Sequence, residues 1–471
     1  MSKFNNPRVL QAGSATLDAA VPPGVSAVES NAAPASAQPA EALRRLVTPS
    51  AVQRIGFVML SVYLLSGYAN DLTNRLFHTK AYLSNISELL LPFLLFASGG
   101  LFRSLRSREG KVWLFYMAWL IIDIPFSVWR GGSFNAVIMN WLPRNWILFY
   151  YVTAFTVTRA QLGRLMRVQI AASLLLLLSC FAFGSADGSR FAIEGSLFFG
   201  NANELAMQVL FGITALFFLV YVGKLPLKIF AIAGIGFSLL YVLKTGSRGG
   251  LLGAIALALV VTVLSRRKIL ILLITGALVI PALVFVSPET LNRLKLAFSQ
   301  PDMYSAKNDD ERSAIASRLQ REELLRQSIT MAFTHPLFGV GPDQFPVAVN
   351  GEAEKKGKHS NWLGTHNSYT QVASECGFPA FFAYCAVLLY SFRTSYRLFA
   401  ATRGDPAYRD IHALGMCLIT ALVVYAVCTF FDHIAYTSVL PFLAGFAVAL
   451  RTVAYEIEPL AVRLSPAVQR R

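Results

Sequence analysis

A histidine and an asparagine stand side by side in the stretch GTHNSYTQVASECGFPA, shortly before an apolar run begins. Imidazole has an unperturbed pKa of about 6.5, so His366 can accept a proton from a hydroxyl group near neutral pH. Asn367 can orient this imidazole or a substrate hydroxyl, and Glu375 can tune the histidine or support its loop. The stretch therefore predicts a general base. The competing interpretation is a structural or exposed histidine, which we expect for His335 and His359.

Two arginines in short connections have the chemistry to bind an anion. Arg248 lies in KTGSRGG, where the glycines of the turn allow the backbone to approach a ligand closely. These glycines are Gly246, Gly249 and Gly250. A helix is expected directly after the turn, and its N-terminal amides also favour an anion. Arg190 lies in another connection, GSRFAIEGSLFFGNANELA. The alternative is a tight helical hairpin whose arginine extends to lipid headgroups.

Further arginines occur in ERSAIASRLQREELLRQSITMAFTHP, which predicts a helix that ends before Pro336. Its apolar residues at near-helical spacing are Ile315, Leu319, Leu325 and Ile329. Arg318, Arg321 and Arg326 fall within one broad arc of this helix. Guanidinium groups bind phosphate oxygens through two parallel hydrogen bonds, so these residues together with Arg248 and Arg190 predict a diphosphate site. The alternative is a solvated amphipathic helix that packs on a membrane surface.

The composition identifies the elements that must position these residues. Of the 471 residues, 55% are hydrophobic and only 14% are charged, whereas about a quarter of the residues of a soluble protein are charged. Long uncharged runs recur at lengths near the roughly 20 residues that a helix needs to cross a bilayer. We therefore expect an all-α polytopic membrane protein with about 12 transmembrane helices. Residues 112–129 form the expected third span, and residues 141–157 the fourth.

The distribution of Lys and Arg predicts the orientation. Sixteen lie in the even-numbered short connections and seven in the odd-numbered ones, which places even connections and both termini in the cytoplasm. The net charge of +16 therefore reflects topology, and no nucleic-acid partner is expected. Five cysteines, mostly in apolar runs and without metal-ligand spacing, predict neither a disulfide framework nor a metal site, and we expect no cofactor.

The expected domain organisation has five parts. Residues 1–50, rich in Ala, Pro and Ser, form a disordered cytoplasmic tail. Residues 51–287 form helices 1–9, and residues 377–455 form helices 10–12. Between these groups, residues 288–376 form a large, partly helical periplasmic loop, and residues 456–471 form a second cytoplasmic tail.

Four stretches resemble the O-antigen ligase and polymerase superfamily of bacterial envelope proteins. In HNSYTQVASECGFPA the spacing of His366, Asn367 and Gly377 is similar to the family signature, although Ala380 departs from its last position. RQSITMAFTHPLFGVGPDQF resembles the family's helix and HPLxGxG segment, whose arginine corresponds to Arg321 or, in another register, to Arg318. GSRGGLLG resembles the family's Ser-Arg-Gly turn, and GNANELA, which contains Asn203, resembles its Gly-Asn-x-Asn helix start.

The resemblance implies a metal-independent, inverting glycosyltransferase in the bacterial inner membrane, with its active site facing the periplasm. The implied donor is an undecaprenyl-diphosphate-linked glycan, and the acceptor is lipid A-core, another lipid-linked repeat or a protein. His366 is then the base, and Arg190, Arg248 and Arg321 or Arg318 bind the diphosphate, with Asn367, Asn203, Glu375 and Gly377 in support. A secondary transporter or a lipid-linked glycan flippase is the alternative, because twelve spans also suit that class.

Overall fold

The computed structural model describes residues 49–77, 83–187, 190–196, 200–295, 309–357, 362–457, 460 and 464. Within these residues the protein is almost entirely helical, as the sequence predicts. The expected disordered tail lies, except for its last two residues, outside the described residues. A two-stranded antiparallel hairpin is the exception to helix: β1 (Ser185–Asp187) pairs with β2 (Arg190–Ala192), and Ala186 lies opposite Phe191.

The helices follow in chain order. The first half contains α1 (Ala51–Phe77), α2 (Leu83–Ala97), α3 (Gly100–Ser104), α4 (Arg108–Asp123), a 3₁₀ turn (Ile124–Phe126), α5 (Arg130–Phe134), a π-helix (Asn135–Trp146), α6 (Leu148–Phe155) and α7 (Arg159–Phe183). After the hairpin come α8 (Ala202–Val222), α9 (Leu225–Lys244), α10 (Arg248–Leu264), α11 (Lys268–Val284), α12 (Pro288–Lys295), α13 (Asp309–Thr334), α14 (Phe345–Lys355), α15 (Ser368–Ala401), a 3₁₀ turn (Pro406–Tyr408), α16 (Arg409–Cys428) and α17 (Val439–Tyr455).

Six helical segments of the described chain are long and apolar enough to cross a membrane: α1, α7, α8, α9, α15 and Pro406–Cys428. Shorter apolar helices are Asn85–Ala97, Arg248–Leu264, Lys268–Val284 and Val439–Tyr455. Most of α8 and Pro406–Cys428 is buried, whereas only 22% of α1 and 28% of α9 are buried. The centre of the molecule is therefore formed by α8 and α16, and the count of twelve spans stays a prediction.

Two of the expected spans are interrupted by proline. The helix within 112–129 ends at Asp123, and the 3₁₀ turn that follows contains Pro125. The expected segment 141–157 is divided between the π-helix, which contains Pro143, and α6. Because proline lacks an N–H and its ring collides with the preceding turn, regular α-helix cannot continue through these positions.

The segment between α11 and α15 contains three helices, of which α13 confirms the expected helix before Pro336. Its buried face differs from the expected one. Ile315 is buried, but Leu319, Leu325 and Ile329 are 43%, 36% and 42% exposed. The buried face instead contains small and medium side chains: Ala314, Leu324, Ser328, Met331 and Ala332.

A kink in α15 is joined to this segment by backbone hydrogen bonds. At Gly377 the chain leaves helical geometry (φ 76°, ψ 176°), and Pro379 has no N–H to restore the helical pattern. The carbonyl groups of Ser374 and Glu375 accept hydrogen bonds from the amides of Val340 and Gly341 instead, at 2.9 and 2.8 Å. The polar backbone at the kink is thereby satisfied, as burial requires.

The same turn, residues 336–341, is packed so closely on the kink that side chains are excluded at two positions. A Cβ added to Gly377 would lie 2.1 Å from the carbonyl oxygen of Leu337. A Cβ added to Gly339 (φ 61°) would lie 2.2 Å from the carbonyl carbon of Glu375. Gly339 of HPLFGVG and Gly377 of ECGFPA therefore lie on opposite sides of one close backbone contact.

Gly377→Ala should destabilise the protein by roughly 3 kcal/mol or more, because it combines left-handed backbone geometry with a backbone collision. The control is Gly351→Ala in α14, where an added Cβ meets nothing within 4 Å. The measurement is the thermal unfolding midpoint of the detergent-solubilised protein. Equal midpoints for the two variants would show that the contact at Gly377 does not support the fold.

Candidate active site

Five arginines from four elements line one narrow cavity of about 20 Å³. Arg190 comes from β2, Arg248 from the start of α10, Arg293 from α12, and Arg318 and Arg321 from α13. All four arginines expected to bind a diphosphate are thus brought together across more than 130 residues of chain. A cluster of like charges in one cavity is costly unless an anion occupies it. The arrangement can therefore bind a multivalent anion.

Asn203, at the start of α8, organises two sides of this cavity. Its Oδ1 accepts hydrogen bonds from Nη2 of Arg190 at 3.3 Å and from Oγ of Ser247 at 2.8 Å. Ser247 in turn caps α10, because its Oγ accepts a hydrogen bond from the amide of Gly250 at 3.0 Å. Asn203 therefore fixes Arg190 relative to the helix start that carries Arg248.

The glycines beside Arg248 have a different role from the one expected. A Cβ on Gly249 would lie 2.8 Å from Cβ of Phe431, and one on Gly250 would lie 2.6 Å from Cβ of Ala206. The expectation that Gly249 and Gly250 admit a ligand is therefore wrong. Their missing side chains allow Phe431 and Ala206 to pack closely against the backbone. Gly246 does line the cavity, where its φ of 57° suits glycine.

Arg321 and Arg318 differ in the charged groups that surround them. The charge of Arg321 acts on Arg190, Arg248 and the downstream loop residue Asp432. Arg318 forms an ion pair with Glu322 at 3.6 Å, and its charge also acts on Arg248. Burial lowers the pKa of Arg321 below its ordinary value, and the charge of Asp432 opposes this shift. Arg321 is thus the arginine of α13 that connects the cavity with the rest of the site.

His366 lies beside the arginine cluster in a strained conformation. Its φ is 51°, a left-handed geometry that costs a non-glycine residue on the order of 1–3 kcal/mol. Burial, followed by the charges of His433, Arg321 and Arg190, lowers the pKa of His366 to about 4. Its Nδ1 is buried and has no hydrogen-bond partner within the described chain. His366 is therefore neutral at pH 7, with a nitrogen available to accept a proton.

Asn367 holds this histidine through the backbone. Its Oδ1 accepts hydrogen bonds from the amides of Tyr369 and Thr370 at 2.9 and 3.1 Å and so caps α15. Its Nδ2 donates to the carbonyl group of Phe430 at 3.3 Å. The oxygen of the amide and one of its two N–H groups are thereby occupied, and the expectation that Asn367 orients His366 or a substrate hydroxyl stays a prediction.

Glu375 supports the loop through three hydrogen bonds. Its carboxylate accepts hydrogen bonds from the amides of Asp343 and Phe345, at 3.2 and 3.3 Å, and from the hydroxyl of Tyr436 at 2.8 Å. Of the two roles expected for Glu375, support of the loop agrees with these contacts. Gly377 does not line the arginine cavity, and its contribution to the fold is the kink in α15.

Asp432 is a buried carboxylate close to His366, and the sequence gives it no role. It is 3% exposed, and burial raises its pKa while His433, Arg321 and Arg190 oppose that shift. The amide of His433 donates to its Oδ1 at 3.0 Å. One ligand atom each of His366, Asp432 and His433 lie within 4.8 Å of one another, a spacing that could also hold a metal ion.

A larger cavity of about 410 Å³ lies among the helices, and no residue of this group lines it. Its wall contains both apolar side chains, such as Leu443 and Phe446, and polar ones, such as Glu88 and Gln208. Glu204 also lies on this wall, and the charge of Asp432 acts on it. The mixed wall of this cavity therefore suits an amphiphilic molecule.

Sequence reasoning missed Arg293 and left Asp432 unassigned. Arg293 lies in ETLNRLK, where no glycine turn or neighbouring motif distinguishes it from a solvated arginine. Asp432 directly follows the apolar run that contains α16. A carboxylate at the end of such a run was the signal that the sequence offered. His335 is exposed, as expected, and Oγ1 of Thr334 lies 3.0 Å from its Nδ1. His359 lies outside the described residues.

Pyrophosphate should bind to the arginine cavity. Arg321→Ala should weaken this binding about tenfold or more, since a charge-assisted hydrogen bond is worth roughly 1.5–3 kcal/mol. Arg248→Lys should also weaken it, because an ammonium group lacks the planar pair of donors. The control is Arg326→Ala on the same helix, where Arg326 is exposed and paired with Glu323 at 2.8 Å. Calorimetry on the purified protein measures the affinity, and equal affinities for all variants would contradict an anion site here.

Comparison with known families places the site within a defined domain. The family model described as O-antigen ligase matches residues 233–385, and no curated protein matches the chain. The matched range includes Arg248, Arg321 and His366, whereas Arg190 and Asn203 precede it. O-antigen ligases act in glycan transfer during polysaccharide biosynthesis. Residues 233–385 are therefore similar to the O-antigen ligase family.

Proposed function

We propose that this protein transfers a glycan from an undecaprenyl-diphosphate-linked donor to an acceptor hydroxyl at the periplasmic face of the inner membrane. The observation that carries the proposal is the position of a neutral, partnerless imidazole nitrogen beside a cavity of five arginines. A base and an anion site are the two groups that this reaction requires. The acceptor is lipid A-core, as in a ligase, or another lipid-linked repeat, as in a polymerase, or a protein.

In the proposed reaction His366 removes the proton of the acceptor hydroxyl through its unpaired Nδ1. The acceptor oxygen forms a bond to the anomeric carbon while the bond from this carbon to the diphosphate oxygen breaks. The electron pair of that bond leaves with the diphosphate. Attack from the face opposite the leaving group inverts the anomeric configuration, and no covalent enzyme intermediate is needed.

The arginines stabilise the leaving group. Negative charge on the diphosphate increases in the transition state, so fixed cations that face it lower the barrier more than they favour the ground state. Arg190, Arg248 and Arg321 supply this charge, and Asn203 holds Arg190 in place through its 3.3 Å hydrogen bond. We assign Arg318 a peripheral position because Glu322 already pairs with it.

The group of His366, Asp432 and His433 functions in this proposal without a metal ion. The positive charges of Arg190 and Arg321 act on both His366 and Asp432, and they oppose the approach of a divalent cation. Asp432 instead stabilises the imidazolium that forms when His366 takes the proton. In this proposal the cavity of about 410 Å³ holds part of the amphiphilic substrate.

His366→Ala should fold and bind the lipid-diphosphate donor but form no product, because loss of a general base costs about 10²–10⁴-fold in rate. The matched control is His335→Ala, since His335 is exposed. Product formation by the purified protein with donor and acceptor is measured in excess EDTA, beside a donor-binding assay.

Three outcomes of this experiment would count against the proposal. Transfer by His366→Ala at the wild-type rate would exclude it as the base. Loss of donor binding in this variant would assign the histidine to the diphosphate site. Loss of wild-type activity in EDTA that zinc or magnesium restores would show that the three-residue group holds a metal.

The pH dependence of the reaction follows from the pKa of His366. A base acts when deprotonated, so kcat/KM should stay constant from pH 8 to about 5 and fall only as pH approaches the pKa of about 4. The bound diphosphate adds negative charge beside the imidazole, so the acid limb of kcat should lie at higher pH. His433→Gln removes a neighbouring charge that lowers this pKa, and should shift the limb of kcat/KM upward. A limb centred near pH 6.5 in the wild type would contradict this environment.

A further inference from the structure

A second large cavity, of about 680 Å³, runs along α10 from Leu251, near the candidate active site, to Leu264 at the opposite end of the helix. Arg248 begins α10 at the active-site end, whereas this cavity extends along the helix to Leu264 and includes Arg266 and Arg267 directly after it. At 1.5 Å per residue, the 17 residues of α10 separate the two ends by about 25 Å. The volume is within the range of about 300–1,000 Å³ that ligand pockets occupy. We call this cavity the basal crevice.

Apolar side chains from four helices form the walls of the basal crevice. Representative residues are Phe217 of α8, Leu239 of α9, Ala258 and Leu264 of α10, and Ile271 and Leu278 of α11. These helices are apolar. In α11, the side chains of Ile269, Leu272 and Leu273 are highly exposed. A crevice of this kind at membrane depth holds hydrocarbon, because water gains no hydrogen bonds from such walls.

One end of the basal crevice is strongly cationic. It is lined by Arg266, Arg267, Arg403 and Arg409. None of these four arginines forms an ion pair with another described residue, whereas nearby Arg159 is paired with Asp410. The guanidinium of Arg266 lies against Gly404, where an added Cβ would be 2.9 Å from its Nη2. The charges of Arg266 and Arg403 both act on His412, so the guanidinium groups converge at this end.

We propose that the basal crevice binds an anionic glycerophospholipid. Its phosphate accepts hydrogen bonds from the arginine cluster, and an acyl chain lies between α9, α10 and α11. The combination of an apolar crevice with unpaired arginines at its mouth matches both parts of such a molecule, whereas a zwitterionic lipid brings a cation that the cluster repels. This site goes beyond the proposed glycan transfer, since it shares no residue with the arginine cavity at the other end of α10.

Native mass spectrometry of the detergent-purified protein tests the headgroup. Phosphatidylglycerol should bind more tightly than phosphatidylcholine with the same acyl chains. The double variant Arg403→Gln, Arg409→Gln should lower phosphatidylglycerol affinity about tenfold or more, because each substitution removes a charge-assisted bond. The control is Arg393→Gln, Arg397→Gln, which removes two exposed arginines of α15 that do not line the basal crevice. Equal binding of the two lipids, or equal loss in both double variants, would overturn the proposal.

The acyl chain is tested separately. Ala258→Phe fills the wall of the basal crevice and should reduce phosphatidylglycerol binding, whereas Leu259→Phe, at a neighbouring position that is 61% exposed, should not. Inorganic phosphate at millimolar concentration should fail to displace the lipid. Displacement by phosphate alone, or unchanged binding in Ala258→Phe, would show a free anion site without a chain pocket and would overturn the assignment to a lipid.

Discussion

The backbone contact between residues 336–341 and the kink at Gly377 is the constraint on which the candidate active site depends. Helix α15 cannot continue regularly through Gly377 and Pro379, so three successive carbonyl groups lose their helical donors. The amides of Val340 and Gly341 supply two donors, and Nε1 of Trp119 donates to the carbonyl group of Cys376 at 3.0 Å. Unpaired buried carbonyl groups would each cost about 1–3 kcal/mol. The kink and the turn therefore stabilise each other, because the carbonyl groups of one accept hydrogen bonds from the amides of the other.

This contact determines where the catalytic groups lie. The turn directly follows α13, so fixing the turn also fixes the C-terminal end of the helix that carries Arg321. The kink fixes the first part of α15, whose Ser368 amide donates to the carbonyl group of Thr429 at 2.8 Å, and whose Ser368 Oγ donates to the carbonyl group of Asp432 at 2.8 Å. A histidine, an arginine and a carboxylate from three distant parts of the chain are thereby held together by main-chain hydrogen bonds rather than by their own side chains.

The sequence allowed the helical class, the helix before Pro336 and the set of arginines to be predicted, because apolar run length and local spacing record these features directly. It did not reveal that Gly249 and Gly250 face Phe431 and Ala206, since a glycine pattern is the same whether a ligand or a helix approaches it. It also did not reveal that Asn367 caps α15, because a side-chain amide beside a histidine can act on a substrate or on its own helix. Arg293 could not be found, as only the tertiary structure brings α12 to the cavity.

The candidate site contains two sources of unfavourable free energy. Five arginines face a cavity of about 20 Å³, and His366 has a left-handed backbone conformation with an unpaired buried nitrogen. A neutral residue in place of one arginine would reduce the repulsion in the cavity. A glycine in place of His366 would remove the backbone strain. A diphosphate removes the repulsion among the arginines, and its negative charge favours the imidazolium that the reaction produces. An anion bound by the arginines would therefore raise the proton affinity of the His366 imidazole, which couples the two halves of the candidate site.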